Sequence, residues 1–223
     1  MELVHVLNRG VDKRVIFLDD QDRFRFIHDL FEFNDLDWAN TTFKNFNKSN
    51  DIECRADRKV RKLLVDIHAF SMMPNHYHLL LSQRAENGVA KFMKKLNMGY
   101  AKYFNSRYQR SGALFQGRYK NILIKNESHF IYLPYYIHLN PLDLIDSGWR
   151  ENKLKDYKKA MSFLEKYRWS SFLDYIGVKN FPSITNRSFL MSFWNGPDNY
   201  KKDTIEWLKE IDIIKNISGV TLE

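Results

Sequence analysis

The sequence has a single cysteine and no long hydrophobic run, and these two absences exclude several classes of protein. Cys54 has no second cysteine with which to form an intrachain disulfide, which argues against a disulfide-stabilised secreted fold. No apolar segment approaches the roughly 18 to 20 residues that cross a bilayer, and the acidic Glu2 is atypical of a signal peptide. We therefore expect a cytoplasmic protein with no membrane partner.

Acidic residues are nearly missing from one stretch of the chain, residues 84–125. This stretch holds ten Lys and Arg residues and a single acidic residue, Glu86, so it carries +9 while the whole chain carries +8. Seven aromatic residues are interleaved with the basic ones, a composition typical of a surface that binds nucleic acid. A basic helix face that binds nothing is the alternative interpretation.

Hydrophobic periodicity predicts a small domain with alternating strands and helices. The predicted elements are, in order, a strand over 3–7, a helix over 20–33, strands over 63–73 and 76–81, a helix over 88–104, a strand over 113–124 and a helix over 129–139. This order is typical of an α+β fold with one antiparallel sheet and helices on one face. In the last strand, Gly117 is expected to be a bulge or a point of close approach.

The chain is expected to divide at about residue 145. Residues 1–145 form the α+β domain, with a polar, asparagine-rich insertion over about 34–62. Residues 146–223 form a mostly helical C-terminal extension, in which the sequence indicates no chemistry. Its helical part is predicted over 203–214.

Two histidines, His76 and His78, are separated by one residue in a predicted strand. Side chains at i and i+2 of a strand project from the same face, so the two imidazoles are expected to lie side by side. They form half of a site for a divalent cation if an oxygen or another nitrogen completes it. Paired histidines are also common as ordinary surface or core residues, and the pair alone does not decide between these interpretations.

Tyr136 and Asn140 are four residues apart in the last predicted helix and share one of its faces. If this helix covers the sheet near the histidines, the amide oxygen of Asn140 is a third metal ligand and Tyr136 lies beside the cation. Attack of a tyrosine on a phosphate would leave a covalent phosphotyrosine and a free 3′-hydroxyl. Two alternatives stay open: Tyr136 could be a core aromatic, and Pro134 could re-aim the helix so that Tyr135 is the nucleophile.

Both motifs, in this order, resemble those of a known family. Pro74-Asn75-His76-Tyr77-His78-Leu79-Leu80 is similar to the HUH motif (histidine, hydrophobic, histidine) of single-tyrosine HUH transposases. Tyr136-Ile137-His138-Leu139-Asn140-Pro141 is similar to the tyrosine helix of their relatives, the REP-associated tyrosine transposases. The resemblance covers about residues 3–175, and it includes Asn8-Arg9-Gly10, Gly112-Ala113-Leu114-Phe115-Gln116-Gly117-Arg118-Tyr119 and Trp169-Ser170-Ser171.

The resemblance implies a ferredoxin-like or RRM-like palm that nicks and joins DNA. In that reading Tyr136 is the nucleophile that forms a 5′-phosphotyrosine, and His76, His78 and Asn140 hold a Mg²⁺ or Mn²⁺ ion. The partner is single-stranded or hairpin DNA, cut at or near imperfect palindromes. The protein would act as a monomer or a homodimer.

Charge, and not a matched motif, identifies the residues expected to hold this DNA. They are Arg9, Lys91, Lys94, Lys95, Lys102, Arg107, Arg110, Arg118 and Lys120.

Two other functions are compatible with the same residues. The first is a non-catalytic, domesticated nucleic-acid-binding protein that kept the palm and the charge but lost turnover. The second is a metallohydrolase without a covalent step, which needs a carboxylate base near the histidines. Asp66 and Glu127 are its candidates, with no spacing argument behind either.

Overall fold

One antiparallel sheet of four strands, in the order β2-β3-β1-β4, organises the fold. The strands are β1 Leu3–Arg9, β2 Val65–Met73, β3 His76–Gln83 and β4 Lys120–Leu123. β2 and β3 form the predicted hairpin around Pro74-Asn75, and β1 lies between β3 and β4.

The structure, a computed structural model, describes residues 2–37, 60–125, 127–151 and 153–218. Side chains are described in these ranges except at 127–129 and 210–218. Most of the predicted insertion over 34–62, together with Cys54, lies outside the described residues.

Two helices, α1 Asp20–Glu32 and α2 Gly88–Arg107, pack on one face of the sheet. α1 begins where the sequence predicts, because the Asp19 carboxylate accepts a hydrogen bond of 3.1 Å from the backbone N–H of Asp22. The chain order β1-α1-β2-β3-α2-β4 is that of a ferredoxin-like domain. The predicted α+β class with a single antiparallel sheet is confirmed.

The next helix, α3 Glu127–Leu139, packs on the other face of the sheet. Leu79 and Leu81 of β3 belong to the core under α1 and α2, whereas Leu80 belongs to the core under α3. Because side chains alternate between the faces of a strand, α3 lies on the side opposite to α1 and α2. Helices therefore cover both faces of the sheet and not one, since β1, β2 and β3 bury apolar side chains on both.

The last strand is shorter than the sequence predicts. Residues 113–119 form bends and irregular backbone, and within them Phe115 makes an isolated bridge with Gly10. β4 covers only Lys120–Leu123, where it pairs with β1. A Cβ atom placed on Gly117 would meet nothing within 4 Å, so the expected close approach at this glycine is wrong.

The C-terminal part is mostly helical, as predicted. It contains α4 Tyr157–Leu164, α5 Phe172–Tyr175, α6 Ser188–Trp194 and α7 Pro197–Ser218. Within the described residues, no helix is both long enough and apolar enough to cross a membrane.

A buried polar network connects this C-terminal part to α3 and to the sheet. His138 of α3 forms hydrogen bonds through Nδ1 with the Tyr200 hydroxyl at 2.6 Å and through Nε2 with Ser171 Oγ at 2.7 Å. The same Oγ accepts a 2.9 Å hydrogen bond from the backbone N–H of Phe70 in β2. These contacts cross residue 145, and the division of the chain there stays a prediction.

Buried neutral histidines make the stability of this fold depend on pH. His68 on β2 is fully buried, and burial lowers its pKa below the ordinary value of 6.5. The unfolded chain therefore binds a proton below pH 6.5 that the folded chain does not. The free energy of unfolding should fall as the pH drops below 6.5, by at most about 1.4 kcal/mol per pH unit for this residue.

Urea unfolding at several pH values between 7.5 and 5 checks this expectation. His68→Gln should reduce the pH slope, whereas His28→Gln on α1 leaves the buried histidine in place and should keep the slope steep. Equal slopes in the wild type and in His68→Gln would contradict the assignment.

Candidate active site

His76 and His78 lie side by side on the face of the sheet that α3 covers. Their ring centroids are 5.0 Å apart. His78 is buried at 3% exposure, and His76 at the start of β3 is partly exposed. The two imidazoles therefore project from the same face, as their spacing predicts.

Tyr136 and Asn140 meet these histidines from α3 and from the 3-10 turn that follows it. The Tyr136 ring stands edge-on to His78, with 5.7 Å between the ring centroids. The Asn140 side chain is fully buried, and it lies close enough to His76 to raise the pKa of that imidazole. The structure thus brings together all four residues for which the sequence predicts chemistry.

Tyr135, the rival nucleophile, lies in a different environment. Its ring stacks on Tyr200 at 5.0 Å and on Trp207 at 4.8 Å, both in α7. Pro134 is accommodated inside α3, which continues to Leu139. Of the two neighbouring tyrosines, Tyr136 is therefore the one that contacts the histidines.

A third histidine, His5 of β1, belongs to the cluster and was not predicted. Its Nε2 lies 2.9 Å from Nδ1 of His78, and the two rings stack at 5.1 Å. His5 is fully buried, and within the described residues its Nδ1 has no hydrogen-bond partner. The signal in the sequence is a lone histidine in the apolar run Leu3-Val4-His5-Val6-Leu7.

The imidazoles are neutral near pH 7. Burial lowers the pKa of His5 to about 3 and that of His78 well below its ordinary value. Burial also lowers the pKa of His76 to about 4, with a smaller effect of the nearby Arg9 in the same direction and an opposing one from Asn140. Neutral imidazoles are the form that binds a metal ion.

The hydrogen bonds leave one nitrogen of each strand histidine available. Nδ1 of His76 lies 2.7 Å from the Asn75 side-chain oxygen, which can only accept, so Nδ1 carries the proton and Nε2 has a free lone pair. Nδ1 of His78 is bonded to His5, which leaves its Nε2 as the second donor when the shared proton sits on His78.

This donor set combines two imidazole nitrogens with the amide oxygen of Asn140. Such a mixed set suits Mn²⁺ better than Mg²⁺, because Mg²⁺ is a harder cation that prefers oxygen ligands and water. Within the described ranges no three His, Cys, Asp or Glu side chains form a metal cluster. A cation here would therefore depend on the amide of Asn140.

Arg150 is a second site residue that was not predicted. It lies in the 3-10 helix Ser147–Glu151, and its guanidinium carbon is 5.1 Å from the centroid of the Tyr136 ring. Its Nη2 donates to Asn140 Oδ1 at 3.4 Å and to Asp143 Oδ2 at 2.7 Å. No motif or spacing indicates Arg150, because it follows the motif residues in a segment without recognisable periodicity.

The carboxylate candidates of a metallohydrolase lie elsewhere or are not described. Asp66 is paired in register with Ser82, towards the end of β3 opposite to His76, and its carboxylate lies 3.5 Å from Arg84. The side chain of Glu127 lies outside the described side chains.

The basic residues predicted to hold DNA divide between the two faces of the sheet. Lys91, Lys94 and Lys102 are exposed on α2, which packs on the face opposite to the histidines. By contrast, Arg9 is in register with His76, and Lys120 is in register with Leu7. Because residues directly opposite each other share a face, Arg9 and Lys120 lie on the histidine side.

Three of the remaining basic residues have partners within the fold. Lys95 donates to the backbone oxygens of Asp35 and Asp37. Arg107 forms ion pairs of 2.6 Å with both Asp19 and Asp22. Arg110 donates to Asn105, whereas Arg118 is exposed with its guanidinium over the Tyr119 ring.

Comparison with known proteins gives a family match and matches to solved structures. Residues 42–140 match the model of the family described as "Transposase IS200 like". A solved structure described as a REP-associated tyrosine transposase bound to a REP hairpin is similar over 79% of each chain, with 14% identity and a TM-score of 0.44. Comparison with curated proteins gives no match.

The matched segment contains all four residues that meet on the sheet, namely His76, His78, Tyr136 and Asn140. The structural neighbour is too distant to carry a further argument. The family match spans residues 42–140, and it confirms the resemblance to the single-tyrosine HUH transposases that the motifs of the chain indicate.

Proposed function

We propose that the protein is a metal-dependent transposase that nicks and joins single-stranded DNA through a 5′-phosphotyrosine at Tyr136. The observation that carries this proposal is the position of Tyr136 against His78, one helical turn before Asn140. A tyrosine, two neutral imidazoles and an amide on facing elements form a suitable set for tyrosine attack on a phosphate beside a cation.

The proposed attack of Tyr136 on the phosphate needs no oxidant or reductant. The Tyr136 oxygen forms a bond to the phosphorus, and the bond from phosphorus to the 3′-oxygen breaks. That oxygen takes the electron pair and then a proton from solvent, and the phenolic proton is released to solvent. The phosphodiester energy is kept in the phosphotyrosine, and attack by another 3′-hydroxyl rejoins the strand.

The proposed cofactor is Mg²⁺ or Mn²⁺. When bound, such an ion polarises the phosphate and stabilises the charge that develops on transfer. His76, His78 and Asn140 are the residues proposed to hold it. His5 would fix the orientation of the His78 ring and, by accepting a hydrogen bond from its Nδ1–H, keep the lone pair of Nε2 available for the ion.

Mutation of the tyrosine pair tests the proposed reaction. Wild-type protein incubated with labelled hairpin-bearing single-stranded DNA and Mn²⁺ should form a covalent adduct that survives denaturing electrophoresis. Tyr136→Phe should abolish the adduct, because the attacking oxygen is gone. Tyr135→Phe is the matched control and should retain it.

The outcomes also separate the alternative functions. An adduct in Tyr136→Phe would assign the nucleophile to another residue. Hairpin binding by the wild type without adduct or cleavage would identify a non-catalytic nucleic-acid-binding protein. Cleavage without adduct would identify a hydrolase.

The role of His5 predicts a difference in metal affinity that does not depend on DNA cleavage. His5→Leu removes the acceptor for His78 and should weaken Mn²⁺ binding by about 10- to 100-fold. His5→Gln places an amide near the position of Nε2, so it should lose less Mn²⁺ affinity than His5→Leu.

Electron paramagnetic resonance titration of free Mn²⁺ measures this affinity directly. His68→Gln is the control, because His68 is also a buried histidine but is bonded to Ser82. Equal Mn²⁺ affinity in wild type and His5→Leu would remove His5 from the site.

The two-sided charge distribution predicts where DNA binds. The double variant Arg9→Gln/Lys120→Gln removes two charges from the histidine face, and Lys91→Gln/Lys94→Gln removes two from α2. In a Tyr136→Phe background, the first should weaken hairpin binding about 10-fold or more and reduce the salt dependence of binding, and the second should change both much less.

Fluorescence anisotropy at two salt concentrations checks this difference. A larger loss in the α2 double variant would show that DNA follows the basic helix, on the far side of the sheet from Tyr136.

A further inference from the structure

Arg150 occupies the position of a phosphate-binding group beside the proposed nucleophile. Its guanidinium carbon lies 5.1 Å from the centroid of the Tyr136 ring. Its Nη2 also reaches Asn140 Oδ1 at 3.4 Å. One permanent cation therefore lies against the ring of the proposed nucleophile and contacts a proposed metal ligand.

The guanidinium is held in place before any DNA arrives. Asp143 receives two hydrogen bonds from it, from Nε at 3.0 Å and from Nη2 at 2.7 Å. The Asp143 carboxylate is itself held by the Trp149 indole N–H at 2.6 Å, and the guanidinium lies 4.7 Å from the Trp149 ring. A donor fixed in this way needs little reorganisation when charge develops in front of it.

Arg150 lies closer to solvent than Tyr136 does, which suits a residue that binds an incoming phosphate. Its side chain is 21% exposed, whereas Tyr136 is 4% exposed and lies beneath it. A phosphate that approaches the Tyr136 hydroxyl along this side encounters the guanidinium at the same point. Arginine binds phosphate oxygens through a planar set of N–H donors and keeps its charge at any physiological pH.

We propose that Arg150 is a catalytic residue that binds the scissile phosphate of single-stranded DNA against Tyr136. This role rests on the proposed function and extends it to a residue outside the predicted domain over 1–145. As the bond from Tyr136 to phosphorus forms and the bond to the 3′-oxygen breaks, negative charge grows on the oxygens around phosphorus. The guanidinium neutralises that charge and exchanges no proton. Asp143 and Trp149 are positioning residues that act through Arg150.

Single-turnover formation of the phosphotyrosine adduct, with saturating hairpin DNA and Mn²⁺, tests the role. Arg150→Ala should slow the step about 100- to 1000-fold, the range seen when one preorganised donor to a developing charge is removed. Added guanidinium chloride should restore at least about a tenth of the lost rate. The rate of Arg150→Lys should lie between those of the wild type and Arg150→Ala, because lysine keeps the charge and loses the planar donor geometry.

Two measurements distinguish phosphate binding from a structural role. A methylphosphonate at the scissile position removes the phosphate charge, so it should slow the wild type much more than Arg150→Ala. Thermal unfolding and Mn²⁺ affinity of Arg150→Ala should stay close to the wild type. Lys153→Ala, which removes an exposed cation three residues away, is the matched control and should react at the wild-type rate.

The results that would contradict the role of Arg150 differ from those that would contradict the proposed function. If the wild type itself forms no adduct, the proposed function and this role are both overturned. If the wild type reacts and Arg150→Ala reacts within about threefold of it, only the role of Arg150 is overturned. The role is also overturned if Arg150→Ala reacts slowly, guanidinium does not restore its rate, and methylphosphonate slows both proteins equally. Those results would assign a structural role to Arg150.

Discussion

The two-residue period of β1 and β3 is the constraint on which the candidate site depends. It directs His5, His76 and His78 to one face of the sheet, while Val6, Tyr77 and Leu79 face the core under α1 and α2. A shift of register by one residue would exchange the two sets. The same alternation that builds the core therefore also assembles the histidine cluster.

The site lies inside a hydrophobic layer and not in an open cleft. Tyr136 and Leu80 belong to the same buried cluster as Trp149 and several aromatic residues of the C-terminal helices. In such surroundings an imidazolium is unfavourable, which explains the lowered pKa values of the histidines. Burial thus provides the neutral form that a metal ligand needs.

The proximities that the sequence predicts correctly are those set by local periodicity. His76 and His78 share a face because they are two apart in a strand, and Tyr136 and Asn140 because they are four apart in a helix. Sequence reasoning does not find His5 or Arg150. The position of His5 depends on strand pairing with a residue 73 positions away, and that of Arg150 depends on how the chain places the short 3-10 helix Ser147–Glu151. From the sequence, the basic stretch 84–125 is expected to form one DNA-binding surface. In the structure, however, the sheet lies between the lysines of α2 and Lys120.

The network around His138 has a consequence for how copies of the chain relate to one another. Because His138 joins α3 to Ser171 and Tyr200 of the same chain, the helix that carries Tyr136 is fastened over its own sheet. Each polypeptide consequently contains tyrosine, both histidines and the amide as one set. All residues of the candidate site therefore come from one molecule, and the hydrogen bonds of His138 hold α3 in that arrangement.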